Sequence, residues 1–297
     1  EGAAISLRLI LGRAGSGKTT VCLEEMMELQ RRDPAGPPVF YLVPEQMTFQ
    51  SEMKLLRSGV KGLFRIQVVS FSRLAWRVMQ ETGGVGRPYI GRTGLQMLLR
   101  KIVEQEKHRF RLYAGAADMM GFIAKLEEMI TELRRYAVTP AVLLAQREKL
   151  LARAGVLATD VVLADKLHDL GIVLEKLENR LAGQYVDNEA LLRRLAEQVP
   201  RSALLQGADV YIDGFHGFTP QELAVIGPLL LAARRVTVAL TLDRPPDDEA
   251  PLDPLHLFYE TARTYRQLRR LAADVGCPVE GDVCLEPGKR FAHPALA

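Results

Sequence analysis

The run Gly12-Arg13-Ala14-Gly15-Ser16-Gly17-Lys18-Thr19, followed by Thr20, is where residue types and spacing most directly imply chemistry. It fits the phosphate-loop pattern G-x-x-x-x-G-K-[ST] at every fixed position. The N–H groups of such a glycine-rich turn, together with the N-terminus of the helix after it, face an anion. Lys18 would reach the β- and γ-phosphates, and the Thr19 hydroxyl would hold Mg²⁺. The expected nucleotide-binding set is therefore Gly12, Arg13, Ala14, Gly15, Ser16, Gly17, Lys18, Thr19 and Thr20. A magnesium nucleotide also needs a carboxylate at the C-terminal end of a neighbouring buried strand. Val210-Tyr211-Ile212-Asp213 has that form, so Asp213 joins Thr19 as the candidate metal pair. Hydrolysing proteins of this class carry a Glu next, to orient the attacking water. Here the next residue is Gly214, which can neither act as a base nor position water. No catalytic residue is assigned. His216 is a nearby group that could stand in for the base, and Glu222 reads as a helix-capping residue.

The elements that must position these groups follow from periodicity. Three strand–helix units open the chain: Ile5–Leu11 with a helix over 19–31, Val39–Val43 with a helix over 45–57, and Phe64–Phe71 with a helix over 72–80. Strands alternating with helices predict an α/β parallel sheet covered on both faces. From 91 to 200 no strand is expected. Met119, Phe122, Ile123, Leu126, Met129, Ile130 and Leu133 form one helical stripe, and Leu167, Leu170, Val173, Leu174, Leu177 and Leu181 another. Glu127, Glu128, Arg134 and Arg135 between them read as a solvated face. The α/β pattern resumes with a strand at 210–212. A helix follows, capped by Thr219 with Pro220 and Glu222, then a strand over 235–242, a proline-rich loop over 244–254 and a helix over 255–275. The expected domains are 1–90 with 201–297, forming the sheet, and 91–200, an all-helical insertion.

Bulk composition narrows the class. The chain has 297 residues, 48% hydrophobic and 25% charged, with a net charge of +3. That is ordinary for a water-soluble globular protein, and the charge is too small to argue for or against nucleic acid. Cys22, Cys277 and Cys284 form no disulfide framework and no zinc spacing, which suits a reducing cytoplasm. No apolar run reaches membrane-spanning length and no signal peptide is visible, so a cytoplasmic protein without a membrane partner is expected. Glu1 in place of Met, and the Pro- and Gly-containing tail at 287–297, read as a piece of something longer.

Four segments together resemble a known family: Gly12–Thr20; Tyr41-Leu-Val-Pro-Glu-Gln-Met-Thr-Phe-Gln-Ser-Glu52; Val69-Ser-Phe-Ser-Arg73; and Asp209-Val-Tyr-Ile-Asp-Gly-Phe-His-Gly-Phe-Thr-Pro-Gln-Glu222. They resemble the N-terminal region of the AddB chains of bacterial AddAB helicase–nucleases, within the UvrD-like superfamily 1. The resemblance implies a RecA-like phosphate-loop domain with a helical insertion. Where the superfamily reads Asp-Glu-Phe-Gln-Asp, this chain has Asp213-Gly214-Phe215-His216-Gly217. A glutamine motif before the loop is missing, and Pro44-Glu45-Gln46 replaces a Thr-containing DNA-contact segment. Those departures imply a helicase fold whose motor has decayed: ATP and Mg²⁺ bound, with little or no turnover by this segment. The family implies ATP-driven processing of double-strand breaks for recombinational repair, Chi response, an AddA partner in a heterodimer, and double- and single-stranded DNA as substrate. Its nuclease domain and iron–sulfur cluster belong to a C-terminal part with no counterpart here. Ser70 stands where the superfamily places a hydroxyl near DNA phosphate. Arg73 and Arg77 cluster beside it, while Trp76 on the same helix reads as core. Two other readings stay open: a fragment of an active superfamily 1 motor, and a phosphate-loop kinase whose helical block is a lid.

Overall fold

The computed structural model describes residues 5–57, 62–83, 86–153, 155–182, 184–247 and 251–286. The tail at 287–297 and part of the proline-rich loop (248–250) therefore lie outside the described residues. Contacts divide the chain into two compact units, one made of residues up to 84 with those from 192 on, the other of residues 85–191.

The first unit is the expected α/β fold. Its strands are β1 (Ser6–Gly12), β2 (Val39–Leu42), β3 (Ile66–Val69), β4 (Asp209–Ile212), β5 (Arg235–Thr241) and β6 (Val283–Cys284). They form one sheet in the order β3-β2-β4-β5-β1-β6, every ladder parallel. β2 and β4 are buried at every position, as strands covered on both faces must be. The helices are α1 (Lys18–Arg32), α2 (Thr48–Arg57, after a short 3₁₀ turn at Glu45–Met47) and α3 (Phe71–Thr82). They precede the second unit; α9 (Pro220–Ala232) and α10 (Tyr259–Val275) return after it. On one side of the sheet Cys22 and Met26 of α1 pack with Tyr41, Tyr211, Ile10, Val39 and Ala239. α1 is also pinned by polar bonds. Arg8 Nη2 donates to both Glu25 oxygens at 2.6 and 2.7 Å, and the Tyr211 hydroxyl donates to Glu25 Oε2 at 3.2 Å.

Several boundaries differ from expectation, two of them by enough to matter, and one strand is additional. The third strand ends at Val69, and Phe71 opens α3, because the Ser70 side chain accepts from Arg73 N and caps the helix. The last helix starts at Tyr259, leaving Leu255 in an exposed turn before it. β6 was not expected at all.

The second unit is helical: α4 (Arg92–Glu106), α5 (Phe122–Arg135), α6 (Pro140–Leu151), α7 (Ala158–Leu181) and the start of α8 (Asn188–Gln198). Both predicted stripes line its core, except that Met119 precedes α5 and is exposed. Two residues assigned to a solvated face are buried instead. Arg134 is bonded to Asp187, and Glu127 accepts from Arg92 Nε at 2.7 Å and Gln96 Nε2 at 3.3 Å. Buried charge is tolerated where it is paired, and a periodicity count does not see the partner. Asp169 is fully buried and accepts from the backbone N–H groups of Arg111, Leu112 and Tyr113, which fixes the α4–α5 connection. Among the described residues no helix is long and apolar enough to cross a membrane.

Candidate nucleotide-binding site

β1 delivers Gly12 to the C-terminal edge of the sheet, and the chain turns there into α1. The turn needs residues that accept positive φ: Gly15 sits at φ 82° and Gly17, the residue before the helix, at 96°. Gly17 offers no side-chain cap, and the first turn of α1 holds no acid. Its N–H groups are thus directed at whatever anion the loop receives. Ser16 is buried, and its Oγ lacks a hydrogen-bond partner within the protein. An orphaned buried hydroxyl inside this glycine-rich loop fits a site completed by an acceptor-rich ligand.

Lys18 lies across the loop. Its Nζ donates to Gly12 O at 2.7 Å and Arg13 O at 2.9 Å. Burial holds its pKa below the usual lysine value, with the negative charge of Asp213 working against that shift. Thr19 Oγ1 donates to Asp213 Oδ2 at 2.7 Å, across 194 residues of sequence. Asp213 follows the last residue of β4; its Oδ2 also accepts from the Tyr41 hydroxyl at 2.9 Å, and its Oδ1 accepts from Gly214 N at 2.8 Å. Arg13 Nη2 lies 3.7 Å from Asp243 Oδ2, just past β5. Ala14 and Thr20 are exposed.

The structure therefore brings Lys18, Thr19 and Asp213 together. An oxygen-only donor pair, Thr19 and Asp213, beside the Gly12–Thr20 loop suits Mg²⁺, which prefers oxygen ligands and keeps several waters. In such a site the metal would neutralise phosphate charge, while Lys18 and the loop amides would hold the phosphate oxygens.

Sequence reasoning did not single out Tyr41 or Asp243. Tyr41 carries a readable signal, a hydroxyl within an otherwise apolar strand, but its target depends on strand pairing. Gly214 leaves the position after Asp213 without a carboxylate, and the backbone explains why. Its φ is 82°, and a Cβ there would lie 2.8 Å from Met47 Sδ and 3.2 Å from Pro44 Cδ. His216 is exposed, its carbonyl accepting from Thr264 Oγ1 at 3.2 Å.

The three DNA candidates share one neighbourhood with different fates. Ser70 is buried, donating to Glu45 while capping α3. Arg73 is bracketed by carboxylates, with Glu45 at 3.5 Å and Glu52 at 3.4 Å. Arg73, Trp76 and Arg77 line an open cavity of about 470 Å³ along β3, together with Gln67 and Gln80. Trp76 is half-buried there rather than enclosed in the core.

Comparison with known proteins decides the family. The chain matches the family described as "ADDB, N-terminal" over residues 9–297. It is 52% identical over 293 residues to the B component of the ATP-dependent helicase/deoxyribonuclease of Geobacillus kaustophilus, covering 98% of this chain and 25% of that protein. It is 44% identical over 294 residues to the corresponding helicase/deoxyribonuclease component of Bacillus anthracis, covering 99% of this chain and again 25% of the relative.

The chain belongs to the AddB N-terminal family.

It spans about a quarter of the length of these curated relatives. In AddB N-terminal terms, the site just described holds the Gly12–Thr20 loop at the start of the matched region and Asp213-Gly214 much further along it, joined by the sheet rather than by sequence.

Proposed function

We propose that this chain is the nucleotide-holding part of an AddB-like helicase/deoxyribonuclease component, one that binds Mg·ATP or Mg·ADP and turns it over negligibly. The observation carrying this reading is the contact set around Lys18, Thr19 and Asp213, with Gly214 beside it. The loop, lysine and hydroxyl–carboxylate pair are what binding requires; a water-orienting carboxylate is what hydrolysis requires, and residue 214 supplies none. Within the assembled protein the role is structural support and guidance of DNA during ATP-dependent break processing for recombinational repair. The partner is an AddA-like motor in a heterodimer, and the substrates are double- and single-stranded DNA. An iron–sulfur cluster would belong to a C-terminal region outside this chain. That the relatives are components of ATP-dependent helicase/deoxyribonucleases supports this reading over the kinase alternative.

Titration of this chain with Mg·ADP and Mg·ATP, followed by an ATPase assay with and without single-stranded DNA, tests it. Saturable binding with background turnover is expected. Failure to bind sinks the reading; robust DNA-stimulated turnover would favour an active motor fragment instead.

A further inference from the structure

We infer that Tyr41 is a positioning residue of the metal–nucleotide site: its phenol fixes the Asp213 carboxylate so that Oδ1 keeps a lone pair for the metal's water shell. This rests on the nucleotide-binding reading above.

An ionised carboxylate offers about four lone-pair directions. Oδ2 of Asp213 accepts from Thr19 Oγ1 and from the Tyr41 hydroxyl, at 2.7 and 2.9 Å. Oδ1 accepts from Gly214 N at 2.8 Å. The three donors come from three separate places: the first turn of α1, strand β2 and the turn after β4. A carboxylate held from three directions cannot rotate, and the position left open is on Oδ1. With the phenol removed, Oδ2 would be held by Thr19 alone, and only Thr19 and Gly214 N would resist rotation of the carboxylate.

The placement of Tyr41 follows from the sheet. Tyr41 pairs with Tyr211 in the β2–β4 ladder, so its side chain shares a face with Tyr211 and with Asp213, two residues further along. It is 1% exposed among apolar neighbours in β2. A hydroxyl at such a depth is costly unless bonded. Here it is bonded, donating to Asp213, and the buried Ser51 of α2 lies beside it. Tyr41 orients Asp213 without itself touching the nucleotide, and Ser51 is the polar group packed beside its phenol.

The test is titration of the full chain with fluorescently labelled ADP, with Mg²⁺ and with EDTA, for wild type, Tyr41→Phe, Ser51→Ala and Asp213→Asn. The readout is the ratio of the two affinities, the gain due to the metal. Tyr41→Phe is expected to cut that gain about tenfold, the lower end for outer-shell partners of a metal, with affinity in EDTA unchanged. Ser51→Ala, which leaves the phenol in place, should lower the gain by less, and it serves if Tyr41→Phe fails to fold. Asp213→Asn marks complete loss. An unchanged gain in the Tyr and Ser variants overturns the inference, and so does equal weakening with and without Mg²⁺, the mark of a merely structural role. Wild-type binding of ADP that Lys18→Ala leaves untouched would overturn the nucleotide-site reading itself, and this inference with it.

Discussion

Lys18 has three N–H donors, and two are taken by carbonyls of its own loop. A phosphate would receive the third, or displace a carbonyl. Lys18→Ala should therefore weaken Mg·ADP binding at least about tenfold, the loss of a charge-assisted bond worth roughly 1.5–3 kcal/mol. The pH dependence has a definite sign. Burial lowers the Lys18 pKa in the ligand-free protein, while a bound phosphate favours the ammonium form, so binding takes up protons on the alkaline side. ADP affinity should be flat near neutrality and fall as pH rises through the lowered pKa, before the ordinary lysine value of 10.5 is reached. Calorimetric titrations at several pH values check this, and Lys18→Ala should remove the decline. Gly214 supports a second expectation. Gly214→Glu should not create an ATPase, because its Cβ would collide with Met47 and Pro44. Its left-handed backbone adds roughly 1–2 kcal/mol of cost for any residue with a side chain. A lowered thermal midpoint with background turnover is expected, and a gain of turnover in that variant would refute the steric argument. At this scale the glycine turn between β1 and α1 was legible in the sequence, because its parts are adjacent. The Tyr41–Asp213 bond was not, since it joins residues 172 apart and depends on which strands neighbour each other.

Helix starts were readable wherever a side chain announces them within one turn. Thr219, Pro220 and Glu222 form the expected capping box: Glu222 Oε2 accepts from Thr219 N at 2.7 Å, and Thr219 Oγ1 accepts from Glu222 N at 3.2 Å. This cap ends the turn that carries Asp213 and Gly214 and sets where α9 begins. Thr219→Ala should cost about 0.5–2 kcal/mol, seen as a shift in denaturation midpoint with an unchanged slope against denaturant; a shift within error would show that the cap carries no weight. Where signals failed, the cause was also local. Ser70 looked like an interior strand residue because Val69 and Phe71 flank it, yet its hydroxyl turns the backbone into α3. β6 has only Val283 and Cys284, too short for any alternation to show, and it exists because β1 offers an open edge beside it. Arg134 and Glu127 were misplaced because charge type predicts exposure only until a partner is buried with it.

Over the whole chain, alternating strand and helix patterns followed by a strandless stretch made the α/β class legible without any structure, whereas the order of strands in the sheet was not, because crossovers leave no periodic trace. Charge at this scale argues about DNA. A net +3 over 297 residues provides no broad basic field. The cations beside the cavity along β3 are partly countered, since Glu45 and Glu52 flank Arg73. This chain alone should therefore bind single-stranded DNA weakly at physiological salt, although half-buried Trp76 beside Arg73 and Arg77 offers a stacking surface of the kind such sites use. Removing one flanking acid should raise the affinity, because Arg73 would then have less negative charge to exchange for phosphate. Glu52→Gln is the cleaner choice, as Glu45 also bonds Ser70. Each phosphate contact made by an arginine contributes about 0.7 to the slope of log affinity against log salt for single strands. Arg73→Ala and Arg77→Ala should each flatten that slope by about this amount in the assembled complex proposed above, and Glu52→Gln should steepen it. Fluorescence anisotropy with a labelled oligonucleotide over a salt series measures all three. Tight binding by this chain alone, or arginine variants that leave both affinity and slope unchanged in the complex, would place the DNA path elsewhere on the protein.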